Sequence, residues 1–249
     1  MASKPKVIGM IPARYASSRL PGKPLIDFGG KTMIQRVFER VRSAKLLSDV
    51  LVATDDIRIY DHVLSFGGKA VMTPTELTSG TDRIAHAAKH LDADIVVNIQ
   101  GDEPLIEPEE ADLVARILIE DPHAVMGTLV KRITRLDELE STGTAKVVLD
   151  ENGYAVYFSR SPIPFIRDES DRSQWFRRFV LFKQVGIYSY RKDFLLQFAG
   201  WPVSNLENME KLEQLRAIEK GFRIKTALTD SEPVCVDTPE DVERVRRLL

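Results

Sequence analysis

The sequence predicts an α/β fold: a mostly parallel central sheet with helices on both faces, followed by an antiparallel elaboration. Three observations predict it. Strand and helix signals alternate with short links through the first half. After residue 123 strand signals follow one another, two of them across a strong hairpin turn. A cationic loop also opens directly from the first strand, at the strand end where open α/β sheets receive ligands.

The first strand is Val7-Ile8-Gly9-Met10-Ile11, and the loop after it holds Arg14, Arg19 and Lys23. Gly22 allows close backbone approach, while Pro21 and Pro24 stiffen the loop and hold its cations in place. Lys31 to Arg42 sets Met33, Ile34, Val37, Phe38 and Val41 on one helical face. Asp49 to Ala53 is a continuous apolar strand of the kind buried in parallel sheets. Thr54-Asp55-Asp56 then caps a helix burying Ile57, Tyr60, Val63 and Leu64, and Gly67-Gly68 stops it. Lys69 to Met72 is a short strand, and Ser79-Gly80-Thr81-Asp82 has the form of a helix start for Arg83 to Leu91. Asp94 to Gln100 is the most strand-like run, followed by Gly101-Asp102-Glu103-Pro104 and a helix from Pro108 to Glu120.

Beyond residue 123, Ala124 to Lys131, Ala145 to Leu149, Tyr154 to Phe158 and Gln184 to Tyr190 read as strands. Asp150-Glu151-Asn152-Gly153 is the hairpin turn. Residues 159–182, with Pro162, Pro164 and many charges, read as a mobile or partner-contacting excursion. Leu206 to Lys220 reads as an amphipathic helix, Phe222 to Ala227 as a strand, and Thr238 to Leu249 as a helix with Pro239 at its first position. The domain expectation is one unit over 1–249, with a first part of about 1–122 and an elaboration of about 123–220.

Bulk properties narrow the function. The chain has 249 residues, 43% hydrophobic and 29% charged, ordinary for a soluble globular protein. A net charge of −2 provides no overall field toward nucleic acid or an anionic membrane. No signal peptide or membrane span is read, so a cytoplasmic location is expected. One cysteine and four scattered histidines argue against a disulfide or a Cys/His metal site. Cys235, in the run Pro233-Val-Cys-Val, reads as a small buried core residue.

The cationic loop lacks both the P-loop and the dinucleotide glycine patterns, so it must grip a polyphosphate mainly with side chains. Asp102 follows an apolar strand at the same sheet edge, and Asp237 follows Val234-Cys-Val236 in the same way. Each alone reads as a helix cap. Together beside a phosphate-gripping loop they read as Mg²⁺ ligands, because a cation must separate carboxylate from phosphate. Gln100, ending the central strand, needs polar partners or a ligand. Arg160, Tyr188, Glu213 and Gln214 have by spacing alone only a structural reading.

In order along the chain, IPARYASSRLPGKPL, VATDD, SGTDR, VNIQGDEP, KVVLDENGYAVYFSRSPIP, GIYSYR, MEKLEQLR and VDTPEDVERVR resemble the 3-deoxy-D-manno-octulosonate (Kdo) cytidylyltransferases. The resemblance spans nearly the whole chain. It implies a Rossmann-like nucleotidyltransferase fold, a homodimer and a Mg²⁺ requirement. The implied reaction joins CTP to the anomeric hydroxyl of Kdo, releasing pyrophosphate and supplying CMP-Kdo for lipopolysaccharide biosynthesis. It further implies that Arg14, Arg19 and Lys23 hold the triphosphate and that Ala13, Ser79 and Gly80, with Arg83 nearby, line the cytosine and ribose site. Asp102 and Asp237 would ligate Mg²⁺. Gln100, Arg160, Tyr188, Glu213 and Gln214 would bind the sugar acid, Arg160 its carboxylate. Gln184 stands where the family usually has His. It keeps hydrogen-bonding capacity but cannot carry charge, which makes an 8-amino variant of Kdo, or another sugar acid, an alternative substrate.

Overall fold

The computed structural model describes residues 4–16 and 20–249. Its first four strands are β1 (Val7–Ala13), β2 (Asp49–Thr54), β3 (Ala70–Met72) and β4 (Ile95–Asn98). They pair in parallel in the order β3-β2-β1-β4, with Met10 of β1 between Leu51 of β2 and Asn98 of β4. All four therefore end at one rim of the sheet. The later strands are β5 (Met126–Arg132), β6 (Lys146–Leu149), β7 (Tyr154–Ser159), β8 (Phe182–Arg191) and β9 (Ile224–Leu228).

The complete order is β3-β2-β1-β4-β8-β5-β9-β7-β6. β8 runs antiparallel between β4 and β5, β9 is parallel to β5, and β6–β7 is the expected hairpin. The sheet is therefore mixed, and the expectation of a mostly parallel one is corrected. The reason lies in β8, whose buried and half-buried residues alternate over most of its length. The parallel strands β1 and β4 are buried nearly throughout.

Helices α1 (Met33–Val41), α2 (Ile57–Ser65), α3 (Gly80–Ala88) and α4 (Pro108–Glu120) connect the first strands. Alternation along β1 sends Val7 and Ile11 to one core, with α1, α2 and α4, and Ile8 and Met10 to a second, with α3. In α2 the buried pair is Ile59 and Val63, one turn apart, while Ile57 and Leu64 are 58% and 47% exposed. The expected core face of this helix was thus misplaced around its axis. α3 begins three residues before the expected start because Ser79 Oγ accepts the Asp82 N–H at 2.9 Å, capping the helix there.

The remaining helices are α5 (Leu136–Glu140), α6 (Trp175–Arg178), α7 (Lys192–Ala199), α8 (Asn205–Glu210), α9 (Leu215–Glu219) and α10 (Pro239–Arg246). The continuous helix expected over 206–220 is broken into α8 and α9. Lys211 adopts φ 52°, a left-handed conformation that ends α8. Glu213 and Gln214 consequently lie in the break, not on a helix face. The excursion over 159–182 is anchored by Trp175, 1% exposed against Ile133, Leu139 and Leu181. Finally, α10 packs Val242 and Val245 on Phe28, Met33 and Val236, which carries the C-terminal segment back to the rim.

Candidate active site

Above the strand ends lies a cleft of about 300 Å³. Ala13, Arg14, Lys23, Ser79, Gly80, Arg83, Gln100, Asp102 and Asp237 line it, together with Pro12, Pro24, Met33, Thr78 and Gly101. Nine of the residues singled out from the sequence thus share one cavity. Arg19 lies outside the described residues.

The backbone at the rim is drawn tight by glycine. Pro12, near the end of β1, sits between two turns. A Cβ on Gly101 would approach the Pro12 carbonyl oxygen to 2.9 Å, and one on Gly80 would reach Pro12 Cγ at 3.1 Å. In the cationic loop Gly22 has φ 70° and donates its N–H to the Tyr15 carbonyl at 3.0 Å, folding the loop back before a 3-10 turn over Lys23–Leu25. Tyr15 in turn carries the Arg58 guanidinium over its ring at 3.3 Å.

That turn aims Lys23 inward. Its ammonium donates to Asp102 Oδ2 at 2.7 Å, Asp237 Oδ1 at 3.2 Å and the Val236 carbonyl at 2.9 Å. Two segments 135 residues apart are thereby stitched to one cation, and a Val236 N–H to Asp102 carbonyl bond of 2.9 Å secures them. Asp241 completes the frame: its Oδ2 accepts the N–H groups of both Asp237 and Thr238 at 3.0 Å, boxing the start of α10. Two half-exposed carboxylates converging on a positive charge form a site suited to a hard divalent cation, which such pairs share with substrate phosphates. Among the described residues no group of three or more acids, histidines or cysteines could hold a metal alone.

Arg14 is exposed and donates to the Thr78 carbonyl at 3.3 Å across the cleft. Arg83 differs in kind. It is 2% exposed, bonded to Asp55 at 2.9 Å, to the Leu77 carbonyl at 3.1 Å and to the Thr73 hydroxyl. It braces the loop over 73–80 from beneath. Glu103, 5% exposed beside Asp102, is pushed up to about 8 by burial and by that neighbouring charge. Its Oε1 lies 3.6 Å from Cys235 Sγ, and Cys235 is exposed, which corrects its reading as a core residue. Val236 takes the buried position in that segment.

The residues assigned to a sugar acid form a second cluster. Gln184 Nε2 donates to the Tyr188 hydroxyl at 2.8 Å, Gln214 Nε2 donates to Gln184 Oε1 at 2.6 Å, and Tyr188 donates to Gln214 Oε1 at 3.3 Å. Gln184 also reaches Thr128 at 3.3 Å. Glu213 accepts a short hydrogen bond from Thr81, and burial raises its carboxyl above the ordinary range. Gln100 joins the clusters: its Cγ lies 3.9 Å from the Cβ position of Gly186, between Gln184 and Tyr188 on β8. Arg160 stands apart, its guanidinium donating to the carbonyls of Glu210, Thr142 and Lys211 at 2.6, 2.7 and 3.2 Å, where it braces the α8–α9 break.

Sequence reasoning passed over Thr81, Asp55, Thr73 and Asn98. Asn98 ends β4 opposite Tyr188 and is 4% exposed, and its Oδ1 has no hydrogen-bond partner. Its place as a polar residue inside the apolar run, two residues before Gln100, was the available signal.

A polyphosphate-sized cleft with cations and paired carboxylates at the rim of this sheet defines a nucleotidyltransferase. The family model described as cytidylyltransferase matches residues 8–225. A solved CMP:2-keto-3-deoxy-manno-octonic acid synthetase complexed with CTP superposes with a TM-score of 0.91 at 43% identity, covering 98% of each chain. A 3-deoxy-manno-octulosonate cytidylyltransferase of Geotalea uraniireducens (strain Rf4) is 52% identical over 98% of this chain and 99% of its own. Its counterpart in Geobacter sulfurreducens is 50% identical over 98% and 99%. The chain belongs to the 3-deoxy-manno-octulosonate cytidylyltransferases.

Proposed function

We propose that this enzyme transfers CMP from CTP to the anomeric hydroxyl of Kdo, giving CMP-Kdo and pyrophosphate for lipopolysaccharide biosynthesis. The observation that carries the reading is the convergence of Lys23, Asp102 and Asp237 in the cleft that Ala13, Arg14, Ser79 and Gly80 also line. The sugar oxygen attacks the α-phosphorus in line, its O–P bond forms as the bond to pyrophosphate breaks, and the hydroxyl proton passes to water. Positioning and charge stabilisation supply most of the catalysis in such a transfer. Arg14, Arg19 and Lys23 bind the triphosphate and offset the charge that gathers on the leaving pyrophosphate. The N-terminal end of α3, with Ser79 and Gly80, holds the nucleoside. Asp102 and Asp237 would hold Mg²⁺, which when bound neutralises phosphate charge and lowers the pKa of a coordinated hydroxyl.

Gln100, Gln184, Tyr188, Glu213 and Gln214 receive the sugar acid, and Arg160, which braces the α8–α9 break, would turn a guanidinium N–H to its carboxylate. The neutral Gln184 network supplies no cation at that point, which keeps 8-amino-Kdo as the alternative substrate. The nucleotide site draws on about 1–122 together with the segment at Asp237, and the sugar site on about 123–220 of one domain. The exposed Phe165, Phe179 and Val180 of the excursion support a homodimer. No described helix is long and apolar enough to cross a membrane, in keeping with action in the cytoplasm. Pyrophosphate release from CTP, measured with Kdo, 8-amino-Kdo and sialic acid, tests the reading. Release dependent on Kdo or its 8-amino form supports it. Release only with sialic acid, or with none of the three, overturns it.

A further inference from the structure

Besides Gln100, one side chain that neither assignment includes joins the cluster proposed for the nucleotide to the one proposed for the sugar acid. Thr81 is 3% exposed in the first turn of α3, immediately after Ser79 and Gly80, which wall the nucleotide cleft. Its hydroxyl donates to Glu213 in the α8–α9 break. Among the described residues this is the one side-chain hydrogen bond to the Glu213 carboxylate. The cation nearest to it, Arg216, lies 3.6 Å away and is already engaged by both oxygens of Glu207 at 2.7 and 2.6 Å.

A threonine hydroxyl has one proton to give, and here it is spent on Glu213. The carboxylate keeps free lone pairs for hydroxyls of a ligand, but its position is set from α3. In the break the Glu213 backbone is held by a single turn-type bond, its carbonyl accepting the Arg216 N–H at 3.1 Å, so its side chain is positioned largely by what it touches. We propose that Thr81 is a positioning residue: it fixes the Glu213 carboxylate for the sugar acid and ties that position to the helix end that binds the nucleoside. The inference rests on the reading of Glu213 as a sugar-acid ligand.

The test is steady-state kinetics of pyrophosphate release with CTP and Kdo for Thr81→Val, Thr81→Ser, Glu213→Gln and the Thr81→Val/Glu213→Gln pair. Circular dichroism and Tm establish that each variant is folded. Valine keeps the shape and removes the donor, so Thr81→Val is expected to raise KM for Kdo about ten-fold or more, with KM for CTP little changed. Thr81→Ser restores the donor and is expected to stay within about two-fold of the parent. In the Glu213→Gln background Thr81→Val should add nothing, because the carboxylate it positions is gone. Equal losses in Thr81→Val and Thr81→Ser, or parallel rises in both KM values, would make Thr81 a packing residue and overturn the inference. A Kdo KM unchanged in Glu213→Gln would overturn the sugar-site reading itself. An effect of Glu213→Gln without one of Thr81→Val would overturn only the role of Thr81. If Thr81→Val does not fold, Thr81→Ser and Thr81→Ala are compared for the same KM split.

Discussion

Lys23 carries opposite duties in one place. Bound to Asp102 and Asp237 it offsets their mutual repulsion, and in the proposed reaction the same charge turns to phosphate. Lys23→Met should therefore lower Tm in metal-free buffer, and millimolar Mg²⁺ should restore more of that loss than it adds to the parent. Equal Mg²⁺ responses in a thermal melt would contradict this. Asp102→Ala should keep its fold by circular dichroism and lose turnover by about a hundred-fold or more, the scale on which removal of one charge-stabilising group acts. At this scale much was legible. Lys23, Asp102 and Asp237 follow strand signals, and strand ends of an α/β sheet converge. Thr81 was not, since nothing local distinguishes it from an ordinary helix residue, and Asn98 carried only the weak signal of a polar residue in an apolar run. Arg83 does line the cleft, but only the fold shows that its donors are committed to Asp55, Thr73 and the Leu77 carbonyl.

Elements were read well where a cap or an apolar face marks them: Asp56 caps α2, Pro239 opens α10, and α1 buries Met33, Ile34, Val37, Phe38 and Val41 as expected. The α8–α9 break escaped because residues 206–220 keep helical periodicity across it, and no glycine or proline marks Lys211, which adopts φ 52°. A left-handed lysine costs about 1 kcal/mol against glycine, so Lys211→Gly should raise stability by up to about that amount in urea melts. A loss would mean that the lysine side chain holds the break. A second element-scale device joins α5 to β8. Lys183 bonds Glu138 at 2.7 Å and Glu232 at 2.6 Å, with both Lys183 and Glu138 nearly buried. Lys183→Met would leave Glu138 without its main partner and should cost roughly 3 kcal/mol. Hydrogen bonds from Lys183 and from two backbone N–H groups, outweighing burial, hold Glu138 below its ordinary value of 4.5. The sign follows: this stability is fully present above 4.5 and disappears as pH falls through the lower folded-state value. Glu138→Gln should accordingly flatten the acid limb of stability against pH, and an unchanged limb would contradict the assignment.

For the molecule as a whole, the mixed character of the sheet was the main departure. The strand–helix rhythm of the first half says nothing about where β8 inserts, because insertion depends on long-range pairing. That insertion brings Gln184 and Tyr188 beside Gln100, and so sets the cluster proposed for the sugar acid against the cleft at the strand ends. Exposed Phe165 and Phe179 belong to the proposed dimer, so the pair Phe165→Asp and Phe179→Asp should shift the mass by light scattering from two chains to one. A parent that is itself monomeric would end that proposal.

In the proposed reaction, cationic side chains and the Asp102–Asp237 pair act on the same bound nucleotide. Anomalous diffraction from crystals soaked with Mn²⁺ and CTP reads this directly. The expected map has a manganese peak in contact with both carboxylates and with the triphosphate, and Lys23 drawn from Asp102 and Asp237 onto phosphate oxygens. A triphosphate bound with no metal at these two acids, or a nucleotide seated away from this rim, would contradict the account.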